Sequence, residues 1–140
     1  MRAPRLASAA AAVLALEGAG IIVIALIEMF GLGSGDAASL PTAIALVVLT
    51  LIGGVALAAF AWGVMRGRGW ARSGGIVLQL LGLGLAVTSF GVDPVPWSFI
   101  LLVGIPTAIG FVLLIASARV EAASSAAPAE PADERAPADD

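Results

Sequence analysis

The chain has 140 residues, of which 60% are hydrophobic and 12% charged, against about 45 to 50% and about 25% in an average soluble domain. A chain this short makes one compact unit at most, so the surplus apolar surface must face lipid rather than water; the absence of Cys, His, Lys and Tyr removes thiolate nucleophiles, imidazole bases, Schiff-base amines and disulfides, which predicts no enzyme, no metal site and no cofactor. The net charge of −3 is uneven, with two Arg against six acids from Arg119 onward and five Arg against four acids before it, so the acidity belongs to a tail and nothing has the basic patch of a nucleic-acid binder.

The first element is an apolar run over Ala7–Phe30. Arg2 and Arg5 ahead of Ala-rich sequence imitate a signal peptide, but the run is too long and carries Glu17 where a cleavage motif belongs, so it reads as a retained helix. Glu17 lies twelve residues beyond Arg5, about 18 Å along the helix axis and near the middle of a bilayer. An acid at that depth costs roughly 2.5 to 3.5 kcal/mol, so Glu17 is expected to face the bundle interior in its neutral form. Two readings stay open: an interhelical hydrogen-bonding group that acts as glue, or a proton or cation site. Glu28 follows eleven residues later and shares the helix face to within about 20°, at a depth near the outer interface, where it is either a vestibule acid or a solvated helix end.

A Gly- and Ser-rich turn precedes the second run, Pro41–Met65, in which Thr50, Gly54 and Ala58 form a stripe of small residues. Arg66-Gly67-Arg68-Gly69 marks the next turn. In the third run, Ala71–Val92, a seam of Arg72, Gly75, Gln79, Gly82, Ala86, Ser89 and Asp93 repeats at steps of 3 and 4. That seven-residue period suits close packing, with small residues admitting a neighbouring backbone and Gln79 bonding across helices. Gln79 and Glu17 fall at similar depth, which predicts a hydrogen bond between them. After Asp93-Pro94-Val95-Pro96, the fourth run covers Trp97–Ala118. Pro106 near its middle cannot donate to the Leu102 carbonyl and should kink the helix, with Thr107 and Gly110 beside it.

Each run is 22 to 25 residues long, enough for a hydrocarbon layer that needs about 20, and lipid leaves the helix as the only open-ended way to satisfy the backbone. Short loops make consecutive helices antiparallel neighbours. The expected fold is all-α, an up-down-up-down bundle over residues 1–118, followed by a disordered Ala/Pro-rich acidic tail over 119–140. Arg2, Arg5, Arg66, Arg68, Arg72 and Arg119 alternate with loops that hold only Asp36 and Asp93, which places both termini in the cytoplasm of a plasma membrane. Trp62, Trp70 and Trp97 near the helix ends suit the headgroup level.

Leu16-Glu17-Gly18, Gly67-Arg68-Gly69-Trp70-Ala71-Arg72 and Val77-Leu78-Gln79-Leu80-Leu81 together resemble a set of small, uncharacterised four-helix integral membrane proteins of high-GC Gram-positive bacteria, over about residues 10 to 90. The resemblance implies a plasma-membrane protein and no particular activity. Small multidrug resistance transporters offer an architectural analogy, four short helices with a membrane carboxylate in the first, but the third helix lacks their Trp-and-Gly pattern. The expected function is a non-enzymatic one, exercised through membrane assembly or as an accessory subunit, with the bilayer, a second copy or a second membrane protein as partner. The alternative is a proton- or cation-coupled small transporter using Glu17.

Overall fold

The computed structural model describes residues 3–32 and 39–126, with side chains from Arg5. Most of the first expected loop, including Asp36, and the tail from residue 127 lie outside the described residues. The rest is helical: α1 over Ala3–Gly31, α2 over Leu40–Met65, α3 over Gly69–Thr88 with a 3-10 turn at Ser89–Gly91, and α4 over Trp97–Ser125. All four are long and apolar enough to cross a membrane.

Local chemistry sets the ends. Pro41 occupies the first turn of α2, where its missing N–H is not needed. At the other end Gly67 takes a left-handed φ of 68°, Gly67 N donates to Val64 O at 3.0 Å and Arg68 N donates to Gly63 O at 3.0 Å. These two bonds make a Schellman closure, which satisfies carbonyls that the helix end leaves bare. At the end of α3 the Thr88 and Ser89 hydroxyls both donate to Leu85 O, at 3.0 and 2.8 Å, and the chain tightens into its 3-10 turn.

The fourth helix departs from expectation. It continues past Ala118 to Ser125, so the tail starts later than position 119. Ala122 and Ala123 extend the helix at little entropic cost, and the Glu121 carboxylate forms an ion pair with Arg72 Nη1 of α3. Pro106 lies inside α4, where the sequence placed it.

Small residues bring the helices together. Gly18 of α1 and Gly54 of α2 face each other so closely that a Cβ on Gly18 would come within 2.8 Å of Gly54 O, and one on Gly54 within 3.0 Å of Gly18 O. Gly63 of α2 meets Ala71 of α3, and Gly74 of α3 lies against the Phe60 ring. Between α3 and α4, Gly75 touches Leu114, Gly82 touches Thr107, and Ala86 touches Gly104. The shared core contains Leu14, Ala61, Val64, Ala71 and Leu114. It is narrow: at most 28% of an apolar 18-residue stretch of any span is buried inside the bundle. Leu16, Phe30 and Leu102 are 74%, 82% and 70% exposed, so the bundle's outer surface is apolar and requires an apolar surrounding.

Candidate intramembrane polar site

Three polar side chains from three helices meet in this narrow interior. Glu17 projects from α1 one residue before Gly18, and the close Gly18–Gly54 contact fixes that stretch of α1 against α2. Gln79, 2% exposed, comes from the centre of α3, and Thr107, 4% exposed, from α4 just after Pro106. Gln79 Nε2 donates to Glu17 Oε2 at 2.7 Å, which is the bond expected from the sequence. The Thr107 hydroxyl lies beside the same carboxyl group and gives its own proton to Val103 O at 2.6 Å. Glu17 Oε1 is buried and accepts no hydrogen bond among the described residues.

Gly110 shapes the site from α4. A Cβ there would collide with Gln79 Nε2, so the absence of a side chain is what lets the amide lie across α4 toward α1. Gly82 acts in the same way, a turn further along α3, where a Cβ would come within 3.1 Å of Thr107 Cγ2. Gly75 sits against Leu114 and Leu14 and belongs to the core on the other side of Gln79. Pro106 is partly buried next to Thr107. Its ring removes one backbone donor from α4, and the Thr107 hydroxyl supplies a donor to the adjacent Val103 carbonyl.

Glu28 is exposed near the end of α1, which runs on to Gly31, and stands apart from the Glu17 cluster, as a vestibule or helix-end acid would. One expectation needs correction. The seam of α3 ends at Ala86, because the 3-10 turn breaks the helical period, so Asp93 is exposed in the following loop rather than aligned with Gln79. The stripe of Gly54 and Ala58 in α2 proves to be the contact surface for α1 at Gly18. Thr107 and Gly110 received no role from the sequence beyond their proximity to Pro106. Their separation of three residues, one helical face, was the available signal.

Among the described residues no group of three or more His, Cys, Asp or Glu could hold a metal ion. The chain matches no protein-family model, no curated protein and no solved structure.

Proposed function

We propose that the chain is a non-enzymatic, multi-pass protein of the plasma membrane that works through assembly, as a homo-oligomer or as the accessory subunit of another membrane protein. The observation that carries this reading is the Gln79–Glu17 hydrogen bond, which gives the one acid near mid-span a partner inside the bundle. An acid engaged in this way ties α1 to α3 and favours one arrangement of the four helices. Gln79 donates to one carboxyl oxygen, and the neighbouring Thr107 hydroxyl gives its proton to Val103 rather than to Glu17. The apolar outer faces of the helices then remain for lipid and for a partner's helices.

The antiparallel arrangement belongs to the same reading. Along α3 and α4 the contacts Arg72 to Glu121, Gly75 to Leu114, Gly82 to Thr107 and Ala86 to Gly104 run in opposite directions, as an up-down bundle requires. Arg5, Arg66, Arg68, Arg72 and Arg119 flank the helix ends expected in the cytoplasm, and Glu28 and Asp93 the opposite ends, which supports cytoplasmic termini.

One observation favours a second reading. Glu17 Oε1, buried and without a donor, is the kind of group that a proton- or cation-coupled carrier would use. Glu17→Gln separates the two. Under assembly, the variant keeps a hydrogen bond to residue 79 and gives the same in-membrane crosslinking pattern as the native chain; under ion coupling, it folds but loses pH-driven flux in proteoliposomes. A crosslinking pattern lost in Glu17→Gln while helicity persists would overturn the structural role assigned to this pair.

A further inference from the structure

At the end of the bundle where α2 passes to α3, all four helices wall a cleft of about 360 Å³. Ala7 contributes from α1, Val64 from α2, Arg72 from α3, Ser117 and Glu121 from α4, and Gly67 closes the corner. Its charged lining is one guanidinium and one carboxylate, joined as an ion pair. Arg72 is 13% exposed and Glu121 50% exposed. The pairing uses Arg72 Nη1, while Arg72 Nε is buried with no acceptor among the described residues. A guanidinium has five donors in a fixed fork that matches phosphate oxygens, and an unmet buried donor costs about 1–3 kcal/mol. Nε itself is closed to any ligand, and only the small exposed part of the Arg72 side chain, 13% of it, can be reached from the cleft.

No other arginine described at this end, neither Arg5, Arg66, Arg68 nor Arg119, lines the cleft. Arg66 and Arg68 lie over the Trp62 ring, 3.9 and 5.6 Å from its centroid, and do not line the cleft. The cleft is therefore electrically balanced, positive at Arg72 and negative at Glu121, within reach of the headgroup layer that the helix ends enter. An anionic headgroup would gain Arg72 but be repelled by Glu121. A head that carries both charges meets both partners.

We propose that this cleft seats the headgroup of a zwitterionic aminophospholipid, its phosphate on the Arg72 guanidinium and its primary ammonium on the Glu121 carboxylate. The ammonium needs N–H donors to bond Glu121, so phosphatidylethanolamine fits better than phosphatidylcholine, whose quaternary nitrogen has none. The apolar walls at Ala7 and Val64 receive the glycerol end, and the acyl chains follow the exposed apolar surface of the bundle. The inference rests on the membrane reading of the four helices and is independent of Glu17.

The test is native mass spectrometry of the full chain, purified in a non-lipid detergent and titrated with phosphatidylethanolamine, phosphatidylglycerol or phosphatidylcholine of matched acyl chains. The native protein should retain phosphatidylethanolamine roughly tenfold over phosphatidylglycerol. Arg72→Gln should lose that retention, and Glu121→Gln should keep lipid but lose the preference for the amine. Ala7→Leu narrows the cleft without altering either charge and should also lose retention, which covers the case in which Arg72→Gln does not fold. Arg66→Gln, outside the cleft, should behave as the native chain does. Equal retention of the three lipids, retention of none, or native retention in Ala7→Leu overturns the proposal. Recovery of the chain as a soluble species without detergent would instead overturn the membrane reading itself.

Discussion

Glu17 and Gln79, 62 positions apart in the chain, meet at 2.7 Å in the interior of the bundle. The bond joins α1 to α3, and Gly110 of α4 leaves the space through which the Gln79 amide reaches. Glu17 is therefore tied to α3 by the Gln79 donor, with the Thr107 hydroxyl of α4 close beside it.

A double-mutant cycle on this pair should show real coupling. Gln79→Leu strands the Glu17 carboxyl without its donor, and Glu17→Leu strands the amide. Each single change is expected to destabilise by about 1–3 kcal/mol. The double variant should recover some of that loss, leaving an interaction of about 0.6 kcal/mol, the average for interhelical hydrogen bonds in membranes, and at most about 1.7 kcal/mol. Reversible unfolding in mixed micelles, followed by circular dichroism, measures it. Strict additivity would show that the two side chains are adjacent without being coupled.

Glycine substitutions should divide by what faces them. A Cβ on Gly18 lies within 2.8 Å of Gly54 O, a backbone atom that cannot rotate away, whereas Gly20, two residues on, has nothing within 4 Å. Gly18→Val should cost about 1–3 kcal/mol through overpacking and loosen α1 from α2. Gly20→Ala should be neutral or slightly stabilising, because it lowers the entropy of the unfolded chain. The same unfolding measurement checks both, and equal effects would dissociate the α1–α2 contact from stability.

How much of this could be read in the sequence varied with the physics involved. The four spans were legible because hydrocarbon thickness sets their length and lipid forbids an unsatisfied backbone. The partner of Glu17 was legible because Gln79 lies at matching depth on the third helix. Thr107 and Gly110 were not, since a small or hydroxyl-bearing residue is compatible with any face of a membrane helix and only the position of α4 assigns it one. The extension of α4 to Ser125 escaped a reading that ended helices where hydrophobicity ends. Ala-rich sequence stays helical outside the apolar layer, and the Arg72–Glu121 pair is a tertiary contact with no local signature.

The corner between α2 and α3 offers a contrast within three residues. Gly67 has φ 68°, where an L side chain is strained, and Gly69 has an ordinary backbone with open space around its missing Cβ. Gly67→Ala should lower stability by roughly 1–2 kcal/mol. Gly69→Ala, in the first turn of α3, should be tolerated or stabilise by about 0.5–1 kcal/mol. Thermal denaturation in detergent checks the pair. A harmless Gly67→Ala would mean that the closure made by the Gly67 and Arg68 amides is not what ends α2.

The charge distribution also predicts how the chain sits in the membrane. Arg5, Arg66, Arg68, Arg72 and Arg119 flank helix ends that the cleft and the Arg72–Glu121 pair bring together, while Glu28 and Asp93 belong to the opposite ends. Since Lys and Arg near short loops oppose translocation and acids do so weakly, reporters that work only outside the cell should be active when inserted at Asp36 or Asp93 and silent at Arg68 or at the C-terminus. Replacing Arg66, Arg68 and Arg72 together while placing Arg at positions 36 and 93 removes the bias of the middle loop and gives the outer loops one of their own. A mixed or inverted population should then appear, with Arg2 and Arg5 resisting full inversion. An active reporter at Arg68 in the native chain would instead require the opposite orientation, putting the cleft and its ion pair on the outer face.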